Sequence, residues 1–319
     1  MLKFTIKRLI NIIPTLLIVA TIVFVINRII PGDPAAVMLG PQATVEDIAE
    51  MRIKLGLDQP IFMQYIDYII NLLKGDFGQS IYYKESVLIL ILDRFPNTVL
   101  LSVTALMIAL LIGIPAGMIA ATKQNSILDY IVMLGALVGV SMPVFWLGIM
   151  LVLQFSVNLG WFPATGIGSM DQGFGNVFIH LILPSITLST IPMATFARIT
   201  RSSMLEVISQ DYIKTARAKG LNEFFIIAKH ALKNALTPIL TVMGMQISLL
   251  LGGSVLTETI FSWPGMGRLI IDAIDKRDFM IVQGAVLFVA LIFVLVNLIV
   301  DILYKVVNPR VNYTTKKGR

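Results

Sequence analysis

Asp, Glu, Lys and Arg are absent from six long stretches of this chain: Leu9–Asn27, Phe95–Thr122, Tyr130–Met170, Gln172–Ala197, Asn234–Thr257 and Phe279–Val300. A helix that crosses a bilayer needs about 20 predominantly apolar residues, and each stretch supplies them. Gln172–Ala197 opens with "QGFGN", so its helix is expected to begin near Val177. Tyr130–Met170 is long enough for two helices. Its tail "NLGWFPATGIGSM" is rich in Gly and Pro and carries Trp161, the pattern of an exposed interfacial connection. One span, about Ile131 to Val157, is therefore predicted there.

The charges test this count. With six spans and the N-terminus inside, the cytoplasmic side receives Lys3, Lys7, Arg8 and Lys123. It also receives Arg198, Arg201, Lys214, Arg217, Lys219, Lys229 and Lys233, and at the end Lys305, Arg310, Lys316, Lys317 and Arg319. The short outer connection Asn158–Asn176 has no Lys or Arg, and the last outer loop, with Arg268, Lys276 and Arg277, is a modest exception. A seventh span would move the basic middle segment outside and break the positive-inside pattern. The expected fold class is an all-α membrane protein with six transmembrane helices and both termini cytoplasmic. Residues 1–30 form a first transmembrane helix and 31–95 a long extracytoplasmic segment with short amphipathic helices. Residues 96–305 form the transmembrane core, including a cytoplasmic loop at 198–235, and 306–319 a cytoplasmic tail. The first apolar run is longer than a signal-peptide core and is followed by "RIIPGDP" rather than a small-residue cleavage site, so it reads as a retained helix.

Composition agrees: 56% of residues are hydrophobic and 14% charged, far below the roughly one quarter of a soluble domain. The net charge of +6 follows the membrane sides rather than forming a nucleic-acid patch. Cysteine is absent, which excludes disulfides and thiolate metal sites.

In the outer segment, Thr44 and Asp47 suggest a capping box for "VEDIAEMRIKL", closed by Gly56, and Pro60 starts a second helix that runs to Gly75. "ESVLILILDRF" is too short to span and reads as a lead into the second span. The segment is either a structural lid or a ligand-contacting region. In the middle segment, Ser209 is placed to cap a short helix with Asp211 in its first turn and Lys214, Arg217 and Lys219 toward its end, an order that suits the helix dipole. Gly220 suits a left-handed stop. Asn222 can cap a second helix, on which Phe225, Ala228, Leu232 and Leu236 recur at helical spacing up to the fifth span. Thr215, Ala216 and Ala218 are small enough to let a partner approach closely; a basic loop held at anionic headgroups is the other reading.

Several chemistries are missing. No G-x-x-x-x-G-K-[ST] occurs, so this chain is not expected to hydrolyse ATP. His180 and His230 lack an H-E-x-x-H context and read as interfacial or loop residues rather than ligands. No acidic partner lies within the apolar stretches for a nucleophile and base, which argues against an intramembrane hydrolase. The same lack argues against an ion-coupled secondary transporter, because coupling sites are ionisable groups inside spans. Energy for uphill transport would then arrive through a cytoplasmic docking surface.

"DYIKTARAKGL", with "ARITRSSMLEVISQ" upstream, resembles the cytoplasmic loop of permease subunits in ABC importers of the dipeptide/oligopeptide class. Against the wider permease motif (Glu-Ala-Ala, three residues, Gly, nine residues, Ile-x-Leu-Pro), Ala216, Gly220 and Leu232 match, while the leading Glu, the Ile and the Pro are replaced by Lys214, His230 and Lys233. "PGDP" at Pro31–Pro34, "GLDQP" at Gly56–Pro60, "GDFGQS" at Gly75–Ser80, "LPSITL" at Leu183–Leu188, "FSWPGMGRL" at Phe261–Leu269 and "RDFMIVQG" at Arg277–Gly284 are similar to the same family. The short-peptide branch, including glutathione importers, looks closest, and nickel importers share much of the pattern.

The resemblance implies a type I ABC importer-like permease in the bacterial cytoplasmic (inner) membrane, one half of a pore. A homologous second permease, two ATP-binding subunits and an extracytoplasmic substrate-binding protein would be its partners, with a peptide as substrate. ATP and Mg would be bound by the ATPase subunits and no cofactor by this chain. Asp211, Tyr212, Lys214, Thr215, Ala216, Arg217, Ala218, Lys219 and Gly220 would form the coupling helix. Trp263, Pro264, Gly265 and Gly267 lie where such permeases meet the binding protein or gate the path, though this turn would serve equally as a plain connection. Ser141, Pro143, Gln246, Ser248, Gly252, Gly253 and Ser254 are candidates for the translocation path, although small and polar residues in spans more often serve close helix packing.

Overall fold

A computed structural model of the chain describes residues 2–29, 33–40 and 42–307. Pro31 and Gly32 of the "PGDP" string and most of the basic tail lie outside them. Helices make up nearly all of the described structure, and no β-strand occurs among these residues. In chain order they are α1 (Leu2–Ile29), α2 (Pro34–Leu39), α3 (Val45–Lys54), α4 (Ile61–Leu73), α5 (Val87–Thr122), α6 (Ile127–Ser141) and α7 (Val144–Leu151, continued by a π-helical stretch Val152–Asn158). After an irregular connection come α8 (Phe174–Ile208), α9 (Asp211–Ala218) and α10 (Glu223–Phe225), joined through π-helical Ile226–Ala231 to α11 (Leu232–Gly253). The last three are α12 (Val255–Ile260), α13 (Met266–Asp275) and α14 (Phe279–Val307).

Five of these stretches are long and apolar enough to cross a membrane: Ile10–Ile29, Val87–Thr122, Phe174–Ile208, Glu223–Gly252 and Phe279–Val300. A sixth is reached only if a broken pair counts as one span. The sequence predicts one span over Ile131–Val157, whereas α6 and the helix Val144–Asn158 meet at 101°. Pro143 makes a break possible, because it disfavours the helical region for the residue before it, and Met142 is extended at ψ 125°. Other prolines sit inside spans without breaking them, Pro184 and Pro192 in α8 and Pro238 in α11 among them. The fourth span starts at Phe174, three residues before the expected Val177, and runs as one helix to Ile208. "ESVLILILDRF" is continuous with the second span, since α5 passes unbroken through residue 95.

The chain divides into two compact units. The first comprises residues up to Thr98 with Trp263–Val294, the second Val99–Ser262 with residues from Leu295 on. In the first unit, Thr44 and Asp47 cap α3 reciprocally. Gly56 and Gly75 turn the chain after α3 and α4 at φ 63° and 77°. Its core gathers Val87 and Ile91 of α5, Met266, Leu269 and Ala273 of α13, and Ile281, Ala285 and Phe288 of α14. Gly284 is needed there: a Cβ would come within 2.6 Å of Val87 Cγ1.

In the second unit α8 packs against α6, α7, α11 and α12. It also meets α5, where Gly113 and Gly117 lie one turn apart. A Cβ on Gly117 would reach 2.5 Å from the Ala197 carbonyl oxygen, and one on Gly113 would reach 2.6 Å from that of Met193. Small residues four apart allow this close approach of backbones, which supplies dispersion contacts where lipid offers no hydrophobic drive.

Candidate functional site

The charged middle segment folds as a helix, a turn and a second helix. Ser209 does not cap α9 as expected. It terminates α8, and its hydroxyl donates to the Glu206 carbonyl at 2.8 Å. Gln210 takes the N-cap position without a side-chain bond, because the unbroken α8 runs into the residue that the sequence assigns to the next helix. Asp211 still stands in the first turn and pairs with Lys214 at 2.8 Å. Gly220 takes φ 76°, the left-handed stop, and its N–H donates to Arg217 O at 2.9 Å. Asn222 then caps α10, its Oδ1 accepting from Phe224 N at 2.9 Å. Arg217 reaches across this turn and donates to the Glu223 carboxylate at 2.6 Å, which holds its guanidinium more firmly protonated than an unpaired one.

The faces of α9 differ. Ile213 is fully buried and joins Ala121, Met204, Ile226, Ala231 and Ala235 in one cluster, and Ala216 packs against it. Ala216 therefore faces its own chain. Asp211, Tyr212, Lys214, Thr215, Arg217, Ala218, Lys219 and Gly220 are exposed. Phe224 beside them is 79% exposed. Tyr212 is tied down as well, its hydroxyl accepting from Asn234 Nδ2 at 2.7 Å. The result is a rigid, solvent-facing patch of mixed charge with one projecting aromatic ring.

The "FSWPGMG" turn is built differently from a free contact surface. Trp263 is fully buried, Gly265 and Gly267 are buried, and only Pro264 of the four has partial exposure. The Trp263 indole N–H donates to Asn97 O at 2.9 Å, and Asn97 Nδ2 donates back to Pro264 O at 2.8 Å. Met266 N donates to Thr98 Oγ1 at 2.8 Å, which satisfies one orphan amide at the start of α13. The turn is an anchor that clamps α13 to α5.

The path candidates do not gather into one cavity. Ser141 and Pro143 line a recess at the α6–α7 bend with Val138, Met142, Phe145 and Trp146. Gln246 and Ser248 are buried, and the Ser248 hydroxyl donates within its helix to Gly244 O at 3.3 Å. Gly252 is exposed, Gly253 follows at the end of α11, and Ser254 is buried with its hydroxyl donating to Glu258 Oε1 at 2.7 Å.

Three features escaped the sequence reading. Asp129, in the first turn of α6, takes two bonds from Arg201 of α8, at 2.6 and 2.7 Å, and one from Asn125 N at 3.0 Å. Glu258 lies one residue past a charge-free stretch and is fully buried. Asp278 is buried and binds Ser80 Oγ at 2.6 Å and Tyr82 N at 3.0 Å, so "GDFGQS" and "RDFMIVQG" meet. Beside it Lys276 bonds Tyr83 Oη at 3.1 Å and lies 3.9 Å from the Tyr82 ring centroid. These contacts, the Tyr83 bond foremost, raise the Lys276 pKa.

The described residues thus form long apolar helices, a charged helix-turn-helix and a clamped turn before the last of those helices. The chain belongs to the family described as binding-protein-dependent transport system inner membrane component, which matches residues 113–313; residues 1–104 match the family's N-terminal part. It is 46% identical to the di/tripeptide transport system permease protein DppB of Pseudomonas aeruginosa (strain UCBPP-PA14), over 98% of this chain and 99% of that one. It is 45% identical to the glutathione transport system permease protein GsiC of Salmonella choleraesuis (strain SC-B67), over 98% and 100%. Among solved structures, an inward-facing conformation of the MetNI methionine ABC transporter matches 69% of this chain and 96% of its own, with a TM-score of 0.54 at 19% identity. That likeness shows a shared fold.

Proposed function

We propose that this chain is the permease subunit of an ATP-driven importer of dipeptides and oligopeptides. It would line half of the translocation path beside a homologous second permease, with both termini cytoplasmic. Two cytoplasmic ATPase subunits would bind ATP and Mg, and an extracytoplasmic binding protein would deliver the peptide. The chain itself would perform no catalysis and hold no cofactor, in keeping with its lack of a phosphate-binding loop. The full-length similarity to a di/tripeptide permease carries this reading. The similarity to glutathione permeases supports a second one, since glutathione is itself a short peptide.

The exposed face of α9 would seat in a groove of an ATPase subunit, and the buried Ile213 cluster would pass its movement to the spans. The test is peptide uptake into proteoliposomes holding the full transporter. Gly220→Pro requires φ near −65° where the chain has 76°, and it removes the bond to Arg217 O. Ala218→Trp blocks the exposed face without touching the Ile213 cluster. Both should abolish uptake while the protein still inserts. ATP-dependent uptake unchanged in both would overturn the coupling role, and uptake by this chain alone would overturn the permease reading.

A further inference from the structure

In the first unit, α4 is apolar but too short to cross a bilayer. A helix with an apolar run of about 10–14 residues belongs either in a protein core or in a membrane interface. None of the 13 residues of α4 is buried, so it is no core helix. Phe62 and Leu73 are 71% and 84% exposed, and Met63 and Ile70 are exposed with them. At about 100° per residue these four share one face with Ile66 and Ile69, and no charged side chain interrupts it. The only charged residue of α4, Asp67, lies on the polar side with Gln64 and Asn71.

Contacts with α1 fix the depth of this face. The charge-free part of α1 ends at Asn27, and Thr21 lies about 9 Å inside that edge. Thr21 Oγ1 donates to Leu17 O at 2.7 Å, so it accepts from the Tyr65 hydroxyl, also at 2.7 Å. One turn on, Phe24 meets the Tyr65 ring edge-on at 5.3 Å and stacks on the Tyr68 ring at 5.5 Å. One turn further, Arg28 donates to Gln64 Oε1. Three successive turns of α1 thus hold α4 level with the last part of the apolar stretch. Ile22, Val25 and Ile26 of α1 are exposed at the same level and face lipid where α1 spans the membrane.

We propose that α4 is an in-plane membrane anchor. Its face of Phe62, Met63, Ile66, Ile69, Ile70 and Leu73 is set among the acyl chains just below the phospholipid headgroups, at the Ile29 end of α1. Amphipathic helices at this boundary bury their apolar face about 5–10 Å deep, the level at which Thr21 holds Tyr65. A water-soluble protein does not reach that depth. Tyr65 and Tyr68 suit it, because phenolic rings favour the headgroup level. With Asp67 as its only charge, α4 is held by apolar burial rather than by attraction to anionic headgroups. The inference rests on α1 as a membrane span and is independent of what is transported.

The test uses the full transporter in phosphatidylcholine nanodiscs, with partner subunits free of reactive cysteine. This chain has no cysteine, so Phe62→Cys, Leu73→Cys and Asp67→Cys each give one site for a nitroxide label. All three side chains are exposed, so labelling empties no core position. Collision of each label with oxygen, which concentrates in lipid, and with a water-soluble nickel chelate is measured by electron paramagnetic resonance. Labels at positions 62 and 73 should collide more with oxygen than with nickel, and the label at 67 should show the reverse. Adding phosphatidylglycerol should leave these ratios unchanged. Nickel access at 62 and 73 equal to that at 67 would place the face in water and overturn the proposal. Shielding of both from both reagents would overturn it too, by assigning the face to a second permease subunit. Shielding that appears only with added binding protein would do so in favour of that protein, and ratios that depend on anionic lipid would replace apolar burial with headgroup attraction. Peptide uptake measured in parallel separates failure here from failure of the transport reading, because label depth is read without transport.

Discussion

Removing the Asp129 carboxylate should loosen the attachment of α6 to α8, by an amount the geometry bounds. The Asp129 side chain is 3% exposed and that of Arg201 25%. Two short, parallel N–H···O bonds join them, and Asn125, held at φ 60°, gives the carboxylate a third. Breaking a fully buried pair by deleting one partner costs about 3–5 kcal/mol, mostly the penalty for leaving the other charge alone. The guanidinium retains a quarter of its exposure and can recover some hydration, so Asp129→Ala is expected at or just below the lower end of that range, about 2–3 kcal/mol. Arg201→Met should cost more, because the carboxylate left behind is the more buried partner. The double substitution should cost less than the two single losses together, with a coupling of at least about 1.5 kcal/mol. Equilibrium unfolding in mild detergent, followed by tryptophan fluorescence, measures all four corners of the cycle. Burial also predicts that added salt barely changes the coupling, since screening acts mainly on exposed pairs. Strictly additive losses, or a coupling that vanishes in salt, would refute the argument.

Gly117→Leu should prevent close packing of α5 on α8, at a cost of at least about 1–3 kcal/mol, seen as a lowered Tm or loss of folded protein. Trp263→Ala empties the anchor site and also abandons the bond to Asn97 O; a loss of about 3–5 kcal/mol is expected, and Trp263→Phe should lose distinctly less in the same melt. Lys276 has a raised folded pKa, so its contribution is fully present below the ordinary lysine value. It is lost as pH rises through the folded one. The stability difference between the wild type and Lys276→Met should therefore stay flat from neutral pH to about 10 and shrink above it, as pH-dependent melts would record.

The spans were legible because a bilayer imposes a one-dimensional rule. Every backbone polar group must be satisfied within the helix, and side chains must be apolar over a fixed length. That rule leaves charge-free stretches that need no knowledge of packing. The break at Pro143 was not legible for the complementary reason. Pro184, Pro192 and Pro238 look alike in sequence and remain inside helices, where neighbouring helices can satisfy the freed carbonyls. What distinguishes Pro143 is three-dimensional. The helix beyond it brings Gly148 against Thr187 and Phe261, and a Cβ on Gly148 would lie 3.3 Å from Thr187 Cγ2.

Local signals at the candidate site fared according to their range. The positive φ of Gly220 and the cap by Asn222 depend on neighbours in the chain and could be read directly. The Ser209 cap failed because α8 persists beyond its apolar stretch and absorbs that residue. The Asp129–Arg201 pair spans 72 positions and the Ser80–Asp278 bond 198. No periodicity carries such information, and only the fold brings those residues together.

The position of Ile213 gives the coupling proposal its physical content. An exposed helix docked only through surface charges would slide under load, since exposed ion pairs are worth little. Here α9 is instead rooted by a fully buried isoleucine among Ala121 of α5, Met204 of α8, and Ala231 and Ala235 on either side of the start of α11. Close-packed interiors have low compressibility, so a push on α9 moves these neighbours rather than being absorbed. The Arg201–Asp129 pair lies less than one turn before Met204 on the same helix and ties that motion to the first turn of α6, ahead of the bend at Pro143. Within this unit, a force on α9 therefore reaches α5, α8 and α11 through one apolar cluster, and α6 through one ion pair. Under this proposal the charged face of α9 would vary with a partner while the buried root stays fixed, which accommodates the departure from the wider loop motif at Lys214.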